Sequence, residues 1–375
     1  MSSDSATMVA PESVAELADV LRGTEADGAT VSVRGGGTKQ TWGGAGGDAQ
    51  VVIGTGRLTR VVEHAAGDLV LTVEAGARLH DVQALLADHG QRVALDPPEA
   101  GATIGGIVST AASGPLRFRY GTPRDQLIGM TVVLADGTIA KSGGKVVKNV
   151  AGYDLGKVLT GSFGTLGVIA TVTLKLQPVA AARRVVSVPA DDPGAVWAAL
   201  ARSTAAPSAV EWDGSAVHVL IEASSTAVDA IAAAAAATVG TTTVADEVPS
   251  GFGARPWGSG EVGVKVTHRL SSLDAVVAAV RAHMPGARLT AHVGSGVVWA
   301  GWPSTDPAAV KAAVDSLRVV VASYDGQVVV LDAPTEVKSV IDVWGPVAAR
   351  SLMHRLKDQF DPGHRLNPGR FVDGI

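Results

Sequence analysis

Thr30-Val31-Ser32-Val33-Arg34-Gly35-Gly36-Gly37-Thr38-Lys39 begins as a short strand, Thr30 to Val33, and runs into three consecutive glycines. Without Cβ atoms, such a turn can aim several backbone N–H groups at one anion and form a concave nest. The spacing is neither Gly-x-Gly-x-x-Gly nor Gly-x4-Gly-Lys-Ser/Thr, so the Rossmann and P-loop phosphate turns are both excluded at this position. Alone, a triple glycine is more often a plain flexible turn. Its meaning depends on what surrounds it.

Upstream, Pro11 to Arg22 carries Val14, Leu17, Ala18 and Leu21 on one helical face, with Gly23 just beyond. Downstream, β-rich runs at Val51 to Ile53, Val61 to His64 and Leu69 to Val73 precede an amphipathic helix over Leu79 to His89. Gly101 to Gly121 is a small-residue block. Met130 to Leu134 then turns through Ala135-Asp136-Gly137-Thr138, and a strand from Val168 to Leu176 is stopped by Pro178. This is an α+β texture. Near Val179 the glycine clusters thin out, which places a domain boundary there. Strands are then expected at Arg184 to Val188, Ser208 to Trp212, Ala216 to Glu222, Glu261 to His268 and Val297 to Gly301. Helices are expected over Gly194 to Ser203, Thr226 to Ala237, Ser272 to His283 and Asp306 to Ser316. No internal repeat stands out. From Pro346 a helix leads into a turn-rich ending, Asp361-Pro362-Gly363 and Asn367-Pro368-Gly369-Arg370.

Composition bounds the function. The 375 residues exceed what one core usually organises, and 46% hydrophobic against 18% charged residues fits a globular chain. A net charge of −5 gives no electrostatic reason to expect nucleic acid. There is no cysteine, which removes disulfides, thiolate metal sites, iron–sulfur ligation and cysteinyl cofactor attachment together. The N-terminus lacks the basic start and apolar stretch of a signal peptide, and no run approaches the roughly 20 apolar residues of a membrane span. A cytoplasmic location is therefore expected, with membrane association only through a partner.

Four further clusters accompany the glycine run. Asp96-Pro97-Pro98, Thr103-Ile104-Gly105-Gly106 and Ala112-Ser113-Gly114-Pro115 follow one another closely, a pattern of small side chains and rigid turns that suits a flat ligand. Gly161-Ser162-Phe163-Gly164-Thr165-Leu166-Gly167-Val168-Ile169 repeats glycine every third residue before a strand. In order and spacing these clusters resemble the vanillyl-alcohol oxidase/p-cresol methylhydroxylase (PCMH) type of FAD-binding proteins. The similarity runs through most of residues 10–178 and returns in 350–371. It is strongest at Lys145-Val146-Val147-Lys148-Asn149-Val150-Ala151-Gly152-Tyr153-Asp154-Leu155, at Ser113-Gly114-Pro115-Leu116-Arg117 with Gly121 and Arg124-Asp125, and at Phe360-Asp361-Pro362 with Asn367-Pro368-Gly369-Arg370. Within the family, the chain is most similar to the FAD-binding E subunits of three-component glycolate oxidases.

The resemblance implies an α+β protein with a two-part FAD-binding domain, 1–178 plus a returning segment 336–375, and an α+β cap domain at 179–335. Gly35, Gly36, Gly37 and Thr38 would meet the pyrophosphate through their amides. Thr103, Gly105, Gly106, Ser109, Ser113 and Gly114 would line the ribityl and isoalloxazine side. Gly164, Gly167 and Ile169 would face the ribose and adenine, and Arg34, Lys39, Pro98, Ile104, Arg117, Tyr120, Val168 and Asn367 are carried over as further cofactor-binding residues. Asp125 reads equally as a ligand contact or a turn-closing carboxylate, and Lys148 and Asn149 as loop-ordering or flavin-edge residues. The glycine loop lacks the histidine that carries covalent flavin in some members, so non-covalent FAD is expected. His218, His268, His283 and His292 are well separated, and no metal is expected. His268 and Arg269 are the weak candidates for base and carboxylate clamp. The implied function is oxidation of a small 2-hydroxyacid to a 2-oxoacid, as the FAD subunit of a glycolate oxidase type of complex. The partners would be a larger FAD subunit and an iron–sulfur subunit. A self-contained FAD-dependent dehydrogenase or oxidase, and a flavin-binding relay or assembly subunit, remain as alternatives.

Overall fold

A computed structural model describes residues 6–144, 155–240, 242–304 and 306–375. The Lys145 to Asp154 stretch, including Lys148 and Asn149, lies outside the described residues. The chain divides into two compact units, Met1–Ser113 with Gly121–Val179 and Val347–Ile375, and Gly114–Tyr120 with Ala180–Pro346. Relative to the boundaries read from sequence, residues 336–346 and the short stretch 114–120 group with the second unit.

In the first unit the opening helix spans Val14–Ala26, its N-terminus capped by the Ser13 hydroxyl, which accepts from the Glu16 N–H. Its buried face, Leu17, Ala18 and Leu21, packs on Val31, Ile53, Val133, Val168 and Leu366. The strand before the glycine run spans Val31–Arg34 and lies parallel to Val51–Gly54, which is parallel in turn to Thr7–Val9. The last of these strands is not evident from its three residues. A second, antiparallel sheet orders Val61–Ala65, Val70–Glu74, Val168–Lys175, Leu127–Val133 and Ile139–Gly143. Within the glycine-rich block, Ile104–Thr110 forms a helix. Its Ile104, Ile107 and Val108 enter the core with Leu71, Val73 and Val172.

The C-terminal segment rejoins this unit by backbone pairing. Leu366 bridges Val31 in parallel, the Val31 N–H donates to the Arg365 carbonyl at 2.8 Å, and the Asn367 N–H donates to the Val31 carbonyl at 2.7 Å. The helix Arg350–Phe360 supplies Lys357, a fully buried cation. Its ammonium donates to Asp361 Oδ2 at 2.7 Å, the Thr165 carbonyl at 2.8 Å and the Leu366 carbonyl at 3.1 Å. All three N–H groups are thus satisfied, as burial of a charge requires.

The second unit is one eight-stranded antiparallel sheet. Ala182–Pro189, Gly194–Leu200, Ala209–Trp212, Ala216–Ala223, Val228–Val239 and Thr243–Ala245 follow the order βαββαβ. Val262–Thr267, Leu273–His283, Arg288–His292, Val297–Trp302, Pro307–Ala322 and Gln327–Asp332 repeat it. The second strands of the two copies, Ala209–Trp212 and Arg288–His292, pair to join them. This repeat is invisible in the sequence because it is one of element order and not of residues. The four helices share one core with alternate residues of the strands, among them Trp212, Val264, Ala291 and Val298.

Candidate functional site

Strand Val31–Arg34 ends where the chain must turn beneath the helix Ile104–Thr110. A Cβ on Gly36 would lie 2.1 Å from the Gly101 carbonyl oxygen, so only glycine lets these two backbones approach. Gly37 adopts φ +73°, and a Cβ there would meet no protein atom within 4 Å, because the turn faces open space. None of the backbone N–H groups of Gly35, Gly36, Gly37 or Thr38 donates to an acceptor among the described residues. Four donors in one turn with nothing to bond make an anion nest.

That turn is one wall of a hollow of about 60 Å³ that opens to solvent. Gly35, Gly36, Gly37, Thr38, Lys39, Thr103, Gly105, Gly106, Ser109, Gly164, Gly167, Val168, Ile169 and Asn367 all line it. Val33, Gln40, Thr55, Ala75, Thr110, Phe163 and Arg370 complete the lining and were not among the cofactor residues expected from sequence. A second hollow of about 300 Å³ shares Gly35, Gly36 and Thr103 with the first.

Other predicted residues lie elsewhere. Arg34 is exposed, Pro98 is half-buried outside the hollow's lining, and Ile104 is core. Ser113 is buried in the first unit but lines neither hollow, and Gly114, Arg117 and Tyr120 belong to the second unit. Asp125 accepts from the N–H and hydroxyl of Thr122 at 2.8 and 2.7 Å and so closes a turn.

Three side chains set the chemistry of the hollow. Asn367 accepts from the Val33 N–H and donates to the Phe163 carbonyl, both at 3.0 Å, tying the C-terminal segment to two walls at once. Lys39 is buried and its ammonium pairs with Glu99 at 3.2 Å, so its charge is largely neutralised. Arg370 donates to the carbonyls of Lys39 and Trp42, and burial pushes its guanidinium down to about 10, still fully charged at neutral pH. An arginine poised beside an N–H nest suits a phosphate or diphosphate. The Asn-Pro-Gly-Arg spacing in the sequence was the available signal for Arg370, although its position against the glycine loop was not.

In the second unit the weak catalytic candidates point apart. Arg269 pairs with Asp325 at 3.3 Å and donates to the Ser323 carbonyl at 3.2 Å. His268 Nδ1 lies 2.8 Å from the Arg269 carbonyl, and burial holds the ring below its ordinary pKa. His292 is more deeply buried and is held well below the ordinary value, chiefly by burial and then by Arg255, Arg117 and Lys265. Both rings are therefore harder to protonate in the folded chain than in the unfolded one, His292 the more so. The unfolded chain then binds more protons, and stability falls as pH drops below about 6.5, by up to about 1.4 kcal/mol per unit for His292. Urea unfolding between pH 7.5 and 5.5 should show this slope, reduced in His292→Gln.

A family described as "FAD binding domain" matches residues 5–143. D-lactate dehydrogenase of Archaeoglobus fulgidus is 34% identical over 182 residues, 48% of this chain and 41% of that one. Glycolate oxidase subunit GlcE of Escherichia coli is 38% identical over 120 residues, 32% of this chain and 34% of that one. Each matched span is less than half the relative's length. Among solved structures, alkyldihydroxyacetonephosphate synthase superposes with a TM-score of 0.68 at 15% identity, covering 96% of this chain and 76% of the other, a likeness of fold.

Proposed function

We propose, on the premise that residues 5–143 make this chain a member of the PCMH-type FAD-binding proteins with FAD as its cofactor, that it is an oxidoreductase acting on a small 2-hydroxyacid. The carrying observation is the set of four N–H groups without acceptors at Gly35 to Thr38, beside Arg370, inside that domain. The nest and the arginine would hold the diphosphate, while the ring of Phe163 and the small residues Gly105, Gly106 and Gly167 shape the walls. Bound FAD supplies a two-electron acceptor.

The hydroxyacid reading draws its support from relatives named for glycolate and D-lactate. On the same ground the chain would work with a larger FAD subunit and an iron–sulfur subunit, since it has no cysteine for a cluster of its own. The test is to purify the chain, record its flavin spectrum and add glycolate or D-lactate without oxygen. Bleaching of the oxidised band is the expected result, and a yellow protein that stays oxidised would place turnover in a partner. A protein that takes up no FAD would overturn the proposal.

The flavin is held without a covalent bond in this reading. Among the described residues lining the hollow there is no histidine, cysteine or tyrosine to form one. Acid precipitation should therefore leave all the flavin absorbance in the supernatant, and colour in the washed pellet would contradict it.

A further inference from the structure

The second hollow of the first unit, about 300 Å³, has a lining unlike that of the first. Gly35, Gly36 and Thr103 are common to both, but Gly37, Thr38, Lys39 and Arg370 belong to the first alone. The other walls come from the turn before Val61–Ala65 and from the start of the helix Leu79–Ala87. Close backbone packing builds them. A Cβ on Gly76 would lie 1.8 Å from the Thr55 carbonyl oxygen, the Gly76 N–H donates to the Leu58 carbonyl at 2.8 Å, and Arg78 bridges Thr103 in antiparallel fashion. Clefts that bind small molecules begin at about this size, roughly 300 Å³.

Two opposite charges line this hollow without meeting each other. Arg78 and Asp81 stand three residues apart at the start of the helix, and no ion pair joins them. The Arg78 guanidinium has no hydrogen-bond or ion-pair partner among the described residues, and Asp81 has only its exposed neighbour His80, at 3.4 Å. The apolar part of the lining is Val61, Ala77, Val82 and Leu85, of which Val61 and Leu85 remain 37% and 39% exposed. Covering those two aliphatic side chains would remove apolar surface from water. An anion alone would answer Arg78 and be repelled by Asp81, and a cation alone would do the reverse. A small molecule that carries both charges and an aliphatic group answers the whole lining.

We propose that the second hollow binds an α-amino acid with a branched aliphatic side chain, its carboxylate held by Arg78, its ammonium by Asp81 and its side chain against Val61, Val82 and Leu85. A guanidinium matches a carboxylate with two parallel N–H donors, which suits Arg78 to the acid end. The site goes beyond the flavin reading and stands without it, since none of these five residues lines the hollow assigned to the cofactor.

Calorimetry on the full chain loaded with FAD tests it. L-Leucine should bind at least ten-fold more tightly than 4-methylpentanoate, which lacks the ammonium, than 3-methylbutylamine, which lacks the carboxylate, and than glycine, which lacks the side chain. Arg78→Met should weaken leucine at least ten-fold, and Asp81→Asn should bring it down to the affinity of 4-methylpentanoate, both with flavin content unchanged. Both side chains are exposed, so neither change threatens the fold. Leucine that binds no better than 4-methylpentanoate, or that binds the two variants as it binds wild type, would overturn the site, as would no binding at millimolar leucine. Repeating the titration on the chain freed of FAD separates this site from the cofactor's. Leucine bound only in the absence of FAD would give the hollow to the cofactor and overturn the proposal. A chain that binds leucine through Arg78 and Asp81 yet takes up no FAD keeps this site and sinks the proposed function alone.

Discussion

Replacing Gly36 with alanine is expected to cut FAD affinity by at least about 100-fold while leaving the fold in place. The added Cβ would stand 2.1 Å from the Gly101 carbonyl oxygen, a contact between two backbones that no side-chain rotation relieves. The turn must move, and with it the N–H groups that converge on the diphosphate. Losing aligned donors to a charged group costs about 1.5–3 kcal/mol each, and two such losses reach or exceed the stated factor. Flavin-to-protein ratio after gel filtration, followed by titration with FAD, reads the effect. Gly23→Ala is the control. It lies in the helix Val14–Ala26 where a Cβ meets nothing within 4 Å, and it should bind FAD normally while gaining about 0.5–1 kcal/mol of stability. A Gly36→Ala protein that binds FAD like wild type would remove the glycine turn from the site.

The second large effect is one of stability. Lys357→Met should destabilise the first unit by about 3–5 kcal/mol, because Asp361, fully buried, would keep its charge and lose its partner. The Thr165 and Leu366 carbonyls lose a donor in the same step. Asp361 Oδ2 also accepts from the Leu366 N–H at 2.7 Å, so the double variant Lys357→Met/Asp361→Asn should recover part of the loss. Thermal melts of the three proteins check this, with the single variant lower by on the order of 10 °C. Equal melting of wild type and Lys357→Met would show that the ion pair contributes nothing net.

Much of this architecture was legible because its signals are local. The periodicity of Val14, Leu17, Ala18 and Leu21, the strand before Gly35 and the Ala135 to Thr138 turn each specify their own element. The glycine clusters announced the hollow because close backbone approach has few other solutions. What stayed hidden depends on distant pairing. Lys39 reads as a free loop cation until Glu99 is placed against it, and Arg370 reads as part of a tail until it reaches the Lys39 carbonyl. The Glu211 and His292 pair is separated by a whole repeat, and only strand register brings the two together. His268 and Arg269 illustrate the converse, since neighbours at a strand end looked like a pair and each took a different partner.

The bridge from Leu366 to Val31 has a consequence for biosynthesis. The glycine turn leaves the ribosome early, but Asn367 and Arg370, which complete its hollow, are made only after the whole second unit. Cofactor capture must therefore be one of the last events of maturation. The nascent first unit would have to wait, with its edge strand unpaired, while another domain folds in the middle of it.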